Sequence, residues 1–308
     1  MYDRSKLNNP FDIPEALSVE AGIGGLTKVL VCTGAPVSAT KAAAEIYLNG
    51  ATVTQYSVDG RPILFCSRTS KFEQGKAIRG GVPVIFPWFG PHPTDHTLPQ
   101  HGLARAAEWT IVSTYRYAND EAAVVLGLES SDATRAIWPF DFSLRYTVTV
   151  GKRLEMALEV TNRSASEFKF EEALHTYLAV SDVRNIRITG LENTEYLDKV
   201  AGLERKRLDT SPLALTGETD RVFLNTTGAC RLHDPEFGDT VVRKEGSRST
   251  VIWNPWEAKA EALVDMAGNQ WPGMVCIETA NAMENLVTLA PGASHTMTAI
   301  IDPAPDQE

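Results

Sequence analysis

The sequence predicts an all-β protein, a large antiparallel β-sandwich with few short helices. From residue 42 onwards, short segments of alternating apolar and polar residues follow one another, separated at regular intervals by turn residues. Asn49-Gly50 and Asp59-Gly60 interrupt two β-rich runs, and such pairs favour the tight turns of hairpins. Many short strands joined by turns are typical of packed antiparallel sheets.

The clearest pair of strands is predicted on either side of Gly151-Lys152. Residues 142–150 and 154–160 each alternate apolar and polar side chains, which predicts a hairpin with one buried face. Segments of the same kind recur at FKFEEALHTYLAV, NIRITGLENTEYLD, RVFLNTT, ACRLHDPEFGDTVVRKEG, STVIWNPW, MVCIETAN and SHTMTAIID. Helices are expected only near residues 134–137 and 258–265.

The length of the chain allows one large domain or two ordinary ones, because all-β sandwiches often exceed the usual domain size. Residues 1–20 are polar and contain Pro10 and Pro14, so we expect a peripheral N-terminal lead-in with a helical turn after Pro14. No change in composition and no Ser/Gly-rich linker divides the remainder. Residues 21–304 are therefore predicted to form a single domain.

Composition and charge limit the classes of partner. A hydrophobic content of 43% and a charged content of 22% are those of a soluble globular protein. The formal net charge of −10 argues against nucleic acid or an anionic membrane as a partner of a general basic surface. An anionic ligand would need a local basic pocket, and Arg68, Lys71, Lys76 and Arg79 could form one, with only Glu73 opposing them. A solvated loop face is an equal alternative on charge alone.

Metal binding has little support in the sequence. His92, His96 and His101 include the HxxxH spacing of helical metal ligands, but the prolines among them exclude that helix, so no metal site is expected. The cysteines lie far apart without a CxxC pair, as in a cytoplasmic protein with reduced thiols: Cys32, Cys66, Cys230 and Cys276. Neither an export signal nor a membrane span is expected.

His175 is the first candidate for chemistry. If residues 168–180 form one strand, His175 shares a face with Glu171, Ala173 and Tyr177, which suits a cleft wall better than a packed core. Histidine is the side chain best able to exchange a proton near neutral pH, and neighbouring carboxylates would keep it readily protonated. A structural histidine on such a strand is the alternative interpretation.

Glu278 is the second candidate. Alternation places it on one face of the segment MVCIETAN together with Cys276 and Ala280. A carboxylate between apolar neighbours is costly to bury without partners, and its pKa would tend upward. A general base is one interpretation, and a structural glutamate with a salt bridge or hydrogen bonds is the other.

Two further features stay ambiguous from their residues alone. Asp220-Arg221 is either a solvated turn or a step that lets Asp220 accept hydrogen bonds from ligand hydroxyls, because an ionised carboxylate offers only acceptors. Residues 253–256, WNPW, suit core packing better than a wall on which a sugar stacks.

Six segments in chain order resemble one enzyme family. They extend over most of the chain and read KAIRGGVPVIFPWFG, LPQHGLAR, EEALHTYLAVSD, ETDRVF, VIWNPW and CIETAN. This set resembles the hexose-6-phosphate mutarotases, the glucose-6-phosphate 1-epimerase branch of the aldose 1-epimerase family. The resemblance implies a galactose mutarotase-like β-supersandwich and no cofactor. It also implies an isomerase that interconverts the α and β anomers of hexose 6-phosphates, with glucose 6-phosphate first among them.

The resemblance also implies roles for individual residues. In this family the histidine of the ALHTY-like strand is the general acid and the glutamate of the ETAN-like strand is the general base, which correspond here to His175 and Glu278. The residues that contact the substrate correspond to Arg79, Gln100, Arg105 and Asp220. The segment SRTSKFEQ departs from the family's pattern, which leaves Lys71 and Arg68 open as phosphate contacts. The expected partner is a small-molecule sugar phosphate, bound by a monomer.

The chemistry of anomer exchange fits one acid and one base. The proton leaves the C1 hydroxyl while the ring oxygen is protonated, and the two groups exchange roles in the reverse direction. Arg79 and Arg105 would offer planar charged donors to a phosphate, and Gly80-Gly81 would let the backbone approach it. Two alternatives stay open: a non-catalytic sugar-phosphate sensor on the same scaffold, and a mutarotase of free aldoses.

Overall fold

The computed structural model describes residues 9–34, 41–208 and 212–303. The strands in these ranges are, in chain order, β1 (Leu17–Ala21), β2 (Thr27–Thr33), β3 (Ala42–Tyr47), β4 (Thr52–Val58), β5 (Arg61–Pro62), β6 (Val84–Ile85), β7 (Thr110–Arg116), β8 (Ala122–Glu129), β9 (Phe142–Val150), β10 (Leu154–Asn162), β11 (Phe168–Phe170), β12 (Glu172–Leu174), β13 (Tyr177–Ala179), β14 (Arg187–Thr189), β15 (Glu195–Asp198), β16 (Glu204–Arg207), β17 (Thr219–Leu224), β18 (Cys230–His233), β19 (Thr240–Glu245), β20 (Ser249–Asn254), β21 (Met274–Asn281), β22 (Val287–Leu289) and β23 (Ser294–Asp302). The helices are α1 (Asp132–Ile137) and α2 (Trp256–Ala262).

The strands form antiparallel sheets, which confirms the predicted all-β sandwich. One five-stranded sheet has the order β1-β2-β3-β4-β5. An eight-stranded sheet, called here the back sheet, has the order β14-β18-β19-β23-β10-β9-β8-β7. The other eight-stranded sheet, called here the front sheet, has the order β16-β15-β17-β20-β21-β12-β6, and β13 pairs with β21 as well. Strands β11 and β22 form a separate pair.

The predicted hairpin around Gly151 forms the centre of the back sheet. Strands β9 and β10 pair in register from Leu154 opposite Val150 to Asn162 opposite Phe142. The apolar residues on the inner face of both strands are fully buried: Phe142, Leu144, Tyr146, Val148, Val150, Leu154, Met156, Leu158 and Val160. Each such side chain contributes about 1.5–3 kcal/mol by its removal from water, so this alternation anchors the core.

Several boundaries differ from the sequence expectations. Strand β1 pairs with β2 through Leu17 and Val31, and Leu17 is buried, so the five-stranded sheet begins before the expected boundary near residue 20. The chain after Pro14 makes a turn closed by the Leu17 N–H on the Ile13 carbonyl oxygen. Residues 1–8 of the expected lead-in lie outside the described part of the chain. Helix α1 covers the first expected helix, whereas α2 begins and ends earlier than the second.

The segment from Phe168 to Ala179 is not the one continuous strand that its sequence predicts. It divides into β11, which pairs with β22, and β12 and β13, which both pair with β21. The physical reason is that its backbone groups find partners in two different sheets. The His175 N–H, for example, donates to the carbonyl oxygen of Pro83 rather than to β21.

One large hydrophobic cluster runs through the described part of the chain. It includes residues from Ala16 to Ile301 and receives side chains from all the larger sheets. No helix in the described ranges has the length and apolarity that crossing a membrane requires. All four cysteines are free thiols.

An ion pair between the half-buried His295 and the buried Glu172 joins the back sheet to the front sheet. His295 of β23 donates from Nε2 to Glu172 Oε1 of β12 over 3.0 Å, and Asn281 Nδ2 donates to the same oxygen over 2.8 Å. Glu172 is fully buried. The hydrogen bond to Glu172 raises the pKa of His295 above its usual value.

We expect this pair to make folding stability depend on pH. Because the His295 pKa is raised on folding, its contribution is fully present below the pKa of an unfolded histidine, about 6.5, and is lost as pH rises through the higher folded pKa. In the His295→Gln variant the free energy of unfolding should no longer fall as pH rises through this range. Urea unfolding between about pH 5.5 and about pH 8.5 measures it. His233→Gln, at an exposed pair with Asp239, is the matched control, and parallel pH profiles for wild type and His295→Gln would contradict the idea.

Candidate active site

The pairing register of the front sheet lines up four side chains from four strands. Tyr177 of β13 lies opposite Cys276 of β21, Cys276 lies opposite Trp253 of β20, and Trp253 lies opposite Asp220 of β17. Directly opposed residues in antiparallel strands point to the same face of a sheet. Residues far apart in the sequence therefore form one row on one face.

His175 and Glu278 belong to the neighbouring row on that face. Leu174 lies opposite Thr279 before the break in pairing, and Tyr177 lies opposite Cys276 after it. The register is the same on both sides, so His175 falls opposite Glu278. The two side chains meet with His175 Nδ1 3.4 Å from Glu278 Oε1.

The pair is buried and its polar atoms are incompletely satisfied. His175 is 7% exposed and Glu278 is 1% exposed. Within the described ranges, neither His175 Nδ1 nor Glu278 Oε2 has a hydrogen-bond partner. Buried polar atoms are rarely left in this state, and each exception calls for an explanation, of which a catalytic role is one.

Apolar neighbours explain the burial of Glu278. Val251 lies opposite it on β20, and Ala280 follows on the same face of β21. Both belong to a second hydrophobic cluster, together with Phe89, Ala173 and Val222. Burial, and then the charge of Asp220, raise the pKa of Glu278 well above its usual value, as its apolar neighbours in the sequence suggested.

The expectation that His175 stays readily protonated is wrong for the folded chain. Burial, and then the positive charges of Arg105, Arg79 and Lys199, lower the pKa of His175 well below its usual value. The sequence pointed to nearby carboxylates, but the folded chain also places three cations around the imidazole. Both shifts therefore favour uncharged forms, a protonated Glu278 and a neutral His175.

Arg79, the last residue of the basic segment 68–79, contacts the ring that stacks on His175. Its Nε lies 3.1 Å from Asp265 Oδ1, and its Nη1 donates to the Tyr177 hydroxyl over 3.2 Å. The Tyr177 ring stacks on His175, with ring centroids 4.7 Å apart and planes inclined by 11°. A change at Arg79 therefore reaches His175 through one aromatic ring.

Arg105 is the second arginine near the pair. Its Nη2 donates to the backbone carbonyl oxygen of Gln100 over 2.7 Å, and Gln100 itself is exposed. Burial lowers the pKa of Arg105 to about 10, so the guanidinium keeps its charge at neutral pH. Gln100 and Arg105 thus lie at the same edge of the site.

A cleft of about 360 Å³ opens beside these residues. Four cations line it: Lys71, Lys76, Arg79 and Arg105. Asp265 is the one carboxylate among its described lining residues, and Tyr177 forms part of its wall. The local basic pocket that an acidic protein would need for an anionic ligand is therefore present. Arg68 is not among the described lining residues of this cleft, and its Nη2 donates to Asn269 Oδ1.

The turn between β3 and β4 contacts the two segments that supply the cations of the cleft, one around Lys76 and the other around Arg105. Asn49 Nδ2 donates to the Lys76 carbonyl oxygen over 2.7 Å, and Asn49 Oδ1 accepts from the Gly75 N–H over 2.9 Å. Gly50 has a φ of 75° and packs so closely on the Arg105 carbonyl oxygen that a Cβ atom would overlap it. A hairpin signal in the sequence thus also positions the cleft.

The Gly80-Gly81 pair has a different function from the one expected. The Gly81 N–H donates to the Phe65 carbonyl oxygen over 2.7 Å, and a Cβ at Gly81 would overlap the Val53 carbonyl oxygen. The glycine pair lets the chain pack on its own neighbouring strands. The cleft is lined instead by residues on both sides of the pair, among them residues 75–79 before it and Pro83 after it.

Asp220 lies at the far end of the row, as a strand residue in contact with a lysine. It is 9% exposed, and its Oδ2 lies 3.0 Å from Lys199 Nζ. The Lys199 ammonium also lies 5.0 Å from the centre of the Phe89 ring. The carboxylate is thus held at the edge of the site by a cation and keeps free acceptor capacity for hydroxyl groups.

The sequence reasoning missed three residues of the site: His101, Lys199 and Asp265, the partner of Arg79. His101 was considered only as a metal ligand, yet its ring centroid lies 5.8 Å from that of His175. The Gly90 N–H donates to His101 Nδ1 over 3.2 Å, so in the neutral ring the proton is on Nε2. Its place within the LPQHGLAR segment was a usable signal. Lys199 follows a strand in an ordinary turn, and no local pattern distinguishes it.

Trp253 packs against the catalytic candidates rather than lining the open cleft. It is 8% exposed, and its ring contacts those of His175 and Tyr177 edge to face, at centroid distances of 5.9 and 5.8 Å. Asn254 is fully buried and donates to the carbonyl oxygens of Trp271 and Met274. Core packing, the favoured interpretation of this segment, agrees with these contacts.

One group of potential metal ligands occurs in the described part of the chain, at the acid–base pair itself. The ligand atoms of His175, Cys276 and Glu278 lie within 4.8 Å of one another. A nitrogen, sulfur and oxygen set would suit a zinc ion. The positive charges around His175 oppose a divalent cation, however, and the same atoms are those that would exchange protons.

Comparison with known proteins identifies the family. The sequence profile of the family "Aldose 1-epimerase" matches residues 37–302 of the chain. The chain belongs to the aldose 1-epimerase family.

Individual relatives agree with this family membership. A protein of Cenchrus ciliaris named "Putative glucose-6-phosphate 1-epimerase" is 36% identical over 284 residues, which cover 87% of this chain and 82% of the relative. A protein of Escherichia coli K12 with the same name is 35% identical over 243 residues, covering 78% of this chain and 80% of the relative. A crystal structure described as a "putative mutarotase" from Salmonella typhimurium superposes with a TM-score of 0.85 at 30% identity and covers 94% of both chains.

We expect Gly50→Ala to disturb the cleft of this family member more than its backbone strain alone explains. A left-handed φ costs a non-glycine residue of order 1–3 kcal/mol, and the added Cβ must also displace the Arg105 segment. The variant should therefore unfold at lower temperature and lose stabilisation by inorganic phosphate. Thermal unfolding with and without phosphate measures both effects.

Gly60→Ala is the matched control for this prediction. Gly60 also has a positive φ, 82°, in the turn between β4 and β5, but a Cβ there meets open space. It should cost stability and leave the phosphate effect intact. Equal loss of the phosphate effect in both variants would contradict the proposed link between this turn and the cleft.

Proposed function

We propose that the protein interconverts the α and β anomers of hexose 6-phosphates, with glucose 6-phosphate as the principal substrate. The observation that carries this proposal is the position of a buried acid–base pair, His175 and Glu278, beside a cleft lined by four cations. Proton exchange needs the pair, and a phosphate ester needs the cations. The names of the relatives support the same substrate class.

Glu278 is the proposed general base and His175 the proposed general acid. The Glu278 carboxylate removes the proton of the C1 hydroxyl while the imidazolium of His175 gives a proton to the ring oxygen. The bond between C1 and the ring oxygen breaks, the open-chain aldehyde rotates about C1–C2, and ring closure in the reverse sense gives the other anomer. On ring closure the proton on the ring oxygen returns to His175 and Glu278 returns its proton to the oxygen on C1, so both groups are restored and the reaction needs no co-reactant.

The phosphate group of the substrate also prepares the acid–base pair. After burial, the charges of Arg105, Arg79 and Lys199 lower the His175 pKa. A phosphate dianion bound between the two arginines offsets those charges, which raises the His175 pKa and favours the protonated imidazole that the general acid requires.

The remaining candidate residues position the sugar. Asp220, held by Lys199, accepts hydrogen bonds from sugar hydroxyls, and Gln100 contributes at the edge of the cleft beside Arg105. Lys71 and Lys76 add positive charge to the phosphate end of the cleft, because both belong to its lining. Arg79 and Arg105 are the principal phosphate ligands.

We further propose that the protein acts in the cytoplasm as a monomer that binds a small sugar phosphate, with neither nucleic acid nor a membrane as partner and without a cofactor or metal. The formal charge of −10 and the four free thiols support this setting. A sensor that only binds the sugar phosphate, or a mutarotase of free aldoses, would differ in the two experiments that follow.

We expect His175→Gln and Glu278→Gln each to lower the rate of anomer exchange by about 10²–10⁴-fold, the usual contribution of a positioned acid or base. Exchange spectroscopy by NMR on glucose 6-phosphate measures the rate. Both variants should still be stabilised by phosphate, because the cations of the cleft are retained. His233→Gln, at an exposed histidine, is the control. No acceleration by pure wild-type protein would exclude an enzyme and leave the sensor.

We expect the protein to bind glucose 6-phosphate much more tightly than glucose, and Arg79→Ala to remove most of that difference. Charged hydrogen bonds to phosphate are worth about 1.5–3 kcal/mol each, which is about ten- to hundred-fold in affinity. Calorimetric titration with each sugar measures both values. Arg116→Ala, at an exposed pair with Asp120 on β7, is the control. Similar affinities for the two sugars would favour a free-aldose mutarotase.

A further inference from the structure

Asp265 has an unusual place in the anion cleft. It is the one carboxylate among the described lining residues, and its Oδ1 lies 3.1 Å from Nε of Arg79. Both side chains are 21% exposed, so the pair is partly screened but not fully solvated. Arg79, the residue proposed to bind the phosphate, therefore already has an anionic partner within the protein.

The charge of Asp265 acts on both arginines of the cleft. It raises the pKa of Arg79, after the larger effect of Tyr177, and it acts in the same direction on Arg105. A ligand phosphate that contacts these guanidinium groups comes close to the Asp265 carboxylate. Two like charges in a partly buried cleft repel each other strongly. Binding of phosphate to Arg79 while Asp265 keeps its contact would therefore cost electrostatic free energy.

The loop that carries Asp265 allows this carboxylate to leave. It follows α2 and ends at the short helical turn Trp271–Gly273. Val264, the preceding residue, is 84% exposed, whereas the following residue, Met266, is buried. At its other end, Gln270 Oε1 accepts from the backbone N–H of Arg68. Rotation of the Asp265 side chain releases Arg79 while the anchored end of the loop keeps its bonds.

We propose that Asp265 is an internal competitor for the anion subsite: its carboxylate pairs with Arg79 and is displaced when the phosphate of a ligand binds. This inference rests on the anion subsite of the proposed function and adds a residue that sets its affinity. Small anions alone must compete with a tethered carboxylate, whereas a sugar phosphate gains further contacts from its hydroxyl groups. A neutral sugar leaves the Arg79–Asp265 pair intact.

The test is to measure binding of inorganic phosphate by calorimetry in wild type, Asp265→Asn and Asp265→Ala. Both variants should bind phosphate about three- to ten-fold more tightly than wild type. The KM for glucose 6-phosphate should fall by a similar factor, and the affinity for neutral glucose should not change. Weaker or unchanged phosphate binding in both variants would overturn the inference, because Asp265 would then orient Arg79 or have no influence on it.

Two further variants separate local competition from general electrostatics. Glu73→Gln removes one negative charge from an exposed pair with Lys76 near the cleft and has no contact with Arg79. It should tighten phosphate binding much less than Asp265→Asn, and an equal effect would overturn the inference. In an Arg79→Ala background, Asp265→Asn should give no tightening, since the contested guanidinium is absent.

The inference and the proposed function can fail separately. If wild-type protein does not accelerate anomer exchange but Asp265→Asn binds phosphate more tightly, the enzymatic proposal fails and the competitor role stands. If wild type catalyses exchange and neither Asp265 variant gains affinity for phosphate, the competitor role fails and the enzymatic proposal stands.

Discussion

The antiparallel register between the segment around His175 and strand β21 is the constraint on which the site depends. Leu174 opposite Thr279 and Tyr177 opposite Cys276 fix His175 opposite Glu278, even though the ladder is interrupted between them. A shift of one strand by one residue would place these two side chains on opposite faces of the sheet. The interruption leaves the His175 N–H free to donate to the Pro83 carbonyl oxygen. Because the register is the same on both sides of the interruption, the His175 side chain stays against Glu278.

At both members of this pair burial is the first cause of the pKa shift, and the charges of Asp220 at Glu278 and of three cations at His175 act in the same direction. Apolar neighbours disfavour the charge of Glu278, while the cations around His175 disfavour a second positive charge there. Both shifts favour the uncharged forms of the two groups. The cations that lower the His175 pKa include Arg79 and Arg105, which also line the basic cleft, so under the proposed function one set of charges acts on both the pair and an anionic ligand.

Local patterns predicted much of the fold and part of the site. The alternation in β9 and β10 identified the buried face of the back sheet, because a period of two is a direct consequence of strand geometry. The same periodicity placed His175 with Tyr177 and Glu278 with Cys276. It could not show that residues 168–179 divide between two sheets, since that division depends on the backbone partners supplied by β22, β21 and Pro83.

By itself, the sequence determined the fold class, the family resemblance and which residue types could exchange protons or hold a phosphate, because periodicity and short motifs are local properties of the chain. Only the tertiary structure decided the protonation preference of His175, the pairing of Asp220 with Lys199 and the contact of Arg79 with Asp265. These depend on charges brought together from distant segments. Electrostatic energies follow distance in space, and the order of residues in the chain does not record it.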